Sequence, residues 1–230
     1  MGVKVVLFPR GMSQRAAKAA RSFLPAAALA LLAGCSGPAS EPLPRLAIQP
    51  GRVAVLGVSS GAYQATQAHL ALGERVDGAM LVAGGPAGCA NGQLEMALGP
   101  CMTATPSAPD VATLAGRVRE RAAAGDLAPL STLGGDRVLV VHAANDATVA
   151  PAVGRAAFAL YEDLAKDAPG LQLRWDGGRT FGHAWPTTDR GVACDAGGEP
   201  WIAACGIDLA GDTFAWLYGG PAAAAAAAPA

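Results

Sequence analysis

Arg52-Val-Ala-Val-Leu-Gly-Val-Ser-Ser-Gly-Ala-Tyr63 is an apolar run that stops abruptly at a Gly-x-Ser-x-Gly made of Gly57, Ser59 and Gly61. Val53 to Leu56 predicts a short buried strand, and Tyr63 to Leu72 has helix-forming composition. Strand, small-residue turn and helix in that order make a nucleophile elbow, in which strained backbone holds the serine hydroxyl exposed above a sheet. Gly57 and Gly61 flank Ser59 because a Cβ at either is expected to collide with strand or helix. The bare pentapeptide is a weak signal in a chain with 30 glycines, where an ordinary Gly/Ser turn is the alternative. The flanking elements are what strengthen it.

Three further apolar segments follow. Asp77 to Ala83 and Arg137 to His142 read as buried strands, whereas Leu171 to Trp175 alternates and is expected nearer a sheet edge. Helical stretches Pro109 to Ala124 and Pro151 to Ala165 separate them, and a last helix falls within Trp201 to Tyr218. Strands separated by helices specify an α/β domain with a partial, mostly parallel sheet flanked by helices. This domain is expected over residues 51–219, long enough for one sizeable core.

Residues 1–34 read as a signal peptide. Arg15, Lys18 and Arg21 precede apolar Phe23 to Ala33, which is too short to span a bilayer. The segment ends in Leu32-Ala33-Gly34-Cys35, which resembles a bacterial lipobox. The resemblance implies cleavage before Cys35 and a lipid anchor on its sulfur. With Ser36 next, it also implies an outer-membrane lipoprotein facing the periplasm or cell surface. A plain secretory signal with a chance cysteine is the alternative, and Met12 opens a more compact signal than Met1 does. Residues 35–50 form a Pro-rich tether, and 220–230 an Ala-rich tail with no physical reason to pack.

Beyond Cys35 lie Cys89, Cys101, Cys194 and Cys205. An even number in an exported chain reads as two disulfides, and the local pairs Cys89 with Cys101 and Cys194 with Cys205 are the simplest of three pairings. A zinc site competes, but no Cys-x-x-Cys or Cys/His cluster supports it, so no metal is expected. The net charge of -1, without a basic cluster after the N-terminal segment, argues against nucleic acid. The Gly-rich stretches at Gly84 and Gly177 lack nucleotide-binding spacing, and no cofactor is expected.

A serine hydroxyl is a poor nucleophile until a base takes its proton. His69 lies in the helix after the elbow and reads as a helix-face residue; His142 closes a strand and reads as packed against a neighbouring loop. His183 sits in the Gly-rich loop Gly177 to Pro186, where it can reach back over the sheet, and is the preferred base. Asp146, just past the third strand, is the preferred acid, with an Asx-turn role as the alternative. A solvated role is expected for Asp126, Asp136 and Asp163. The backbone N–H of Ser60 is the one nameable oxyanion donor. Trp185 is the expected subsite wall with Tyr63 behind it, whereas Trp201, Trp216 and Phe214 are expected in the core.

Val53 to Tyr63, Val82 to Ala90, Leu98 to Met102, Asn145 to Val149, Gly182 to Thr187 and Cys205 to Asp208 together resemble successive blocks of poly(3-hydroxybutyrate) depolymerases and related α/β-hydrolase esterases. The resemblance implies an α/β-hydrolase-like fold, with Ser59 as nucleophile, Asp146 as acid and His183 as base. It supports the two local disulfides and implies cleavage of polyester or oligoester bonds through an acyl-enzyme. Ala62 stands where the family commonly has glycine. The strands that usually precede the nucleophile have no counterpart upstream of Ser59, which fits a half-length, permuted type whose missing strands a complementing chain would supply. Two alternatives accompany the polyester reading: a small-ester, feruloyl-type carboxylesterase, and a truncated, non-catalytic surface lipoprotein that retains the three residues.

Overall fold

The computed structural model describes residues 52–219. The expected signal peptide, Cys35, the expected tether and the Ala-rich tail lie outside the described residues. Four parallel strands form the main sheet in the order β1-β2-β3-β4: β1 (Ala54–Val58), β2 (Gly78–Val82), β3 (Arg137–Val141) and β4 (Gln172–Asp176). Parallel neighbours need crossover connections. Helix α1 (Ser60–Ala71) joins β1 to β2, a long segment that includes α3 (Val111–Ala124) joins β2 to β3, and α4 (Pro151–Leu164) joins β3 to β4.

The central strands are apolar throughout because both faces are covered. Ala79, Leu81, Val138 and Val140 pack under α1, α3 and α4, while Met80, Val82, Leu139 and Val141 pack with Phe181 and with Leu209 of α5 (Leu209–Tyr218). Two aspartates cap helix starts by accepting from orphan N–H groups of the first turn. Asp110 accepts from the N–H groups of Ala112 and Thr113 before α3, and Asp208 from that of Gly211 in α5. Pro151 occupies the first turn of α4, where its missing N–H costs nothing.

Strand β4 lies at one edge, as its alternation predicts. Strand β1 is the opposite edge, as the absence of strands upstream of Ser59 predicts, and it is therefore only partly buried, with Leu56 45% exposed, although its apolar run by itself reads as a buried strand. Short elements escaped the sequence reading. They are α2 (Leu94–Leu98), the π-type turn Gly99–Thr103 and the 3-10 turn Leu130–Leu133. A second sheet of β5 (Trp185–Thr187), β7 (Ile202–Ala204) and β6 (Val192–Ala193) was also missed, being too short to show any periodicity. Among the described residues no helix is long and apolar enough to cross a membrane.

Candidate active site

Ser59 stands between β1 and α1 at φ 54, ψ -120, a conformation that L-residues avoid unless their surroundings impose it. Its N–H donates to the Val82 carbonyl at 2.9 Å, tying the turn to the end of β2, and its carbonyl accepts from the N–H of Ala62. A Cβ on Gly57 would lie 2.1 Å from the Gly61 backbone, so glycine is required there. At Gly61 the expectation fails, since a Cβ would meet nothing within 4 Å. Ala62 is fully buried, and its methyl fits because Gly84 opposite has no Cβ; one there would lie 2.3 Å from that of Ala62.

The acid loop follows β3. Asp146 uses its two oxygens for two tasks. Oδ1 accepts from the N–H groups of Thr148 at 2.8 Å and Val149 at 2.9 Å, an Asx turn, and Oδ2 lies 2.8 Å from His183 Nδ1. The turn and the histidine partnership therefore coexist. Burial opposes the charge on Asp146, but the bonds from His183, Val149 and Thr148 outweigh it and hold the carboxyl below its ordinary range. Asn145, which the sequence reading passed over as a functional residue, accepts from the Phe181 N–H at 3.0 Å, fastening the acid loop to the loop that carries His183.

Ser59, Ser60 and His183 line one cavity of 390 Å³ with Val58, Thr148 and Trp201. No hydrogen bond joins Ser59 to His183, a looseness common before substrate binds. Ser60 is the first residue of α1, so its N–H has no acceptor within the helix. A second cavity, of 510 Å³, also reaches Ser59 and Ser60 and is walled by Tyr63 and the Cys89–Cys101 loop. The Tyr63 hydroxyl donates to the Cys101 carbonyl, and burial pushes its pKa up. Both local disulfides are formed, Cys89–Cys101 and Cys194–Cys205.

Several aromatic and polar assignments change. Trp201 is 50% exposed, stands edge-on to the His183 ring at 6.1 Å and lines the Ser59 cavity; it is not core. Trp185, the expected wall, instead packs on the cluster containing Phe181. Phe214 is 57% exposed and stacks on Tyr218, whereas Trp216 does pack against the core. Asp136 is not solvated: it is buried, with Oδ2 3.0 Å from Nε2 of His69. His69 is itself fully buried, and its Nδ1 lies 2.9 Å from the Tyr161 hydroxyl. Asp126 is exposed as expected, and Asp163 pairs with Arg119 and Lys166 near the surface. His142 is packed as expected, donating from Nε2 to the Val149 carbonyl at 2.9 Å. Burial pushes its pKa down, against that bond and the nearby Asp146. Among the described residues no group of acidic, histidine or cysteine side chains could hold a metal ion.

Over 194 residues, 84% of its length, the chain is 34% identical to a poly(3-hydroxybutyrate) depolymerase of Delftia acidovorans. It is a homologue of the poly(3-hydroxybutyrate) depolymerases. A polyhydroxybutyrate depolymerase of Talaromyces funiculosus is 27% identical over 190 residues. The fold agrees. The structure of the Penicillium funiculosum PHB depolymerase matches 77% of the chain with a TM-score of 0.65 and 26% identity. So does a serine-to-alanine PHB depolymerase complexed with an R3HB trimer, at 25% identity. The architecture is thus that of a depolymerase-like α/β-hydrolase. No family model matches. The chain spans 38% and 53% of the two depolymerase sequences and 54% of the solved chains.

Proposed function

We propose that the protein hydrolyses carboxylic esters, specifically polyester or oligoester bonds of poly(3-hydroxybutyrate) and related hydroxyalkanoates, through Ser59, His183 and Asp146. The observation that carries this reading is the 2.8 Å bond from His183 Nδ1 to Asp146, with Ser59 and His183 facing one cavity. With the Nδ1 proton donated to the carboxylate, Nε2 is left unprotonated to act as base. Nε2 takes the Ser59 proton as Oγ attacks the ester carbonyl; Ser60 N–H donates to the developing oxyanion. Collapse expels the alkoxide, which receives the proton from His183, and leaves an acyl-Ser59 ester. Water, deprotonated by Nε2, then attacks the acyl carbon, and its proton returns to Ser59 as the acid leaves. Asp146 holds the tautomer and stabilises the imidazolium. Tyr63 walls the larger cavity. Trp201, standing beside His183, takes the subsite-wall role first assigned to Trp185.

Disulfides suit an exported protein, and lipidation at Cys35 after removal of residues 1–34 would place the domain at the outer membrane. Strand β1 has no outer partner among the described residues. A further strand, from a complementing chain or from residues outside those described, would pair along it and cover Val53 and Leu56.

The test is incubation of purified protein with a hydroxybutyrate trimer and chromatography of the released monomer and dimer. Release by wild type and none by Ser59→Ala is the expected outcome. An inert wild type would overturn the reading in favour of a non-catalytic surface lipoprotein. Cleavage of aryl esters but not of the trimer would favour the feruloyl-type alternative.

A further inference from the structure

Along α1, Ser60, Tyr63, Gln64 and Gln67 are spaced i, i+3, i+4 and i+7 and therefore share one face. All four line the 510 Å³ cavity that begins at Ser59. A smaller cavity adjoins it, with Gln67, Gly88, Asn91 and Arg121 lining both. Arg117, one turn before Arg121 on α3, lines the second. Among the described residues, these two arginines are the only charged side chains lining the two cavities. Neither takes part in an ion pair among the described residues, although Arg119, between them on another face, is paired with Asp163 and Asp167.

An unneutralised guanidinium pair at the end of a groove that starts at a nucleophile suits an anionic terminus of the substrate. From Ser60 to Gln67 the helix rises roughly 10 Å. A hydroxybutyrate unit contributes four chain atoms against three for an amino acid, hence about 4–5 Å when extended. About two units therefore fit between the attacked carbonyl and the arginines. In a hydroxyalkanoate oligomer the alcohol side of any scissile ester ends in the free carboxylate.

Building on the esterase reading, we propose that Arg121, assisted by Arg117, binds the free carboxylate of a short oligoester, placing the alcohol side of the scissile bond in the α1 groove. The acyl side then lies toward Trp201. The protein so equipped is selective for water-soluble oligomers with a free acid end, and it measures its cut from that end.

Affinity in a Ser59→Ala background tests this without requiring turnover. Titration calorimetry at low salt compares hydroxybutyrate trimer as free acid and as methyl ester. The free acid should bind about twofold to fivefold more tightly, the usual range for an ion pair with solvent-exposed side chains. The preference of free acid over methyl ester should vanish in the Arg117→Gln/Arg121→Gln variant, which changes only exposed side chains. Equal affinities in the parent, or a preference that survives the double substitution, would overturn the proposal. Phosphonate labelling of the protein with Ser59 intact judges the esterase reading separately.

Discussion

In the proposed mechanism Asp146 concentrates two tasks in one side chain, because the same carboxylate closes the turn of its loop and bonds to His183. Asp146→Asn keeps the shape but presents the wrong hydrogen-bonding pattern to Nδ1, and kcat on trimer is expected to fall by about ten-thousandfold while the melting temperature moves little. Two substitutions at the elbow should part company. Gly57→Ala forces backbone apart and is expected to cost about 2–3 kcal/mol or to abolish folding. Gly61→Ala enters open space and should change stability by less than about 1 kcal/mol in urea denaturation. That Ser59, Asp146 and His183 come together was legible in sequence because motif and chain order constrain them. Trp201 was not, since the rule that large aromatics pack inside describes an average, and nothing local to Trp201 announces that it will stand against His183. The pairing of His69 with Asp136, 67 residues apart, leaves no trace in either neighbourhood.

At the scale of elements, the two disulfides staple segments that the sheet does not organise. Cys89–Cys101 closes the wall of the larger cavity, and Cys194–Cys205 links the neighbourhood of β6 to that of β7. Each closes a loop of about a dozen residues, for which loop entropy gives roughly 2–3 kcal/mol. Cys89→Ala/Cys101→Ala should therefore lower stability by about that amount and loosen the cavity beside Ser59, read as a raised KM for trimer. An unchanged KM would separate this loop from substrate binding. The four main strands and their helices were legible because period and length distinguish buried strands from amphipathic helices. The three-stranded sheet was invisible, since two- and three-residue strands carry no period. The apolar run of β1 alone reads as a buried strand, because it records what a strand can tolerate and not which neighbour covers it; its open edge was legible only from the strands missing upstream of Ser59.

Across the whole molecule, two buried groups push acid sensitivity in one direction. Asp146 is held below its ordinary carboxyl range in the folded protein, so its contribution, full above the unfolded value near 3.8, is lost as pH falls through the depressed folded value. His142 is held below the ordinary 6.5, so the unfolded chain takes up its proton first, and stability declines as pH drops below about 6.5. Denaturation midpoints measured from pH 8 to about pH 2 should fall with acidity, and His142→Gln should flatten the upper part of that decline. The central claim is that this fold presents an activated serine, and covalent capture reads it most directly. Intact-mass measurement after treatment with a fluorescent phosphonate should show one adduct on the wild-type protein, none on Ser59→Ala, and a strongly slowed adduct on His183→Ala. An unlabelled wild type, or a label that persists in Ser59→Ala, would contradict the account.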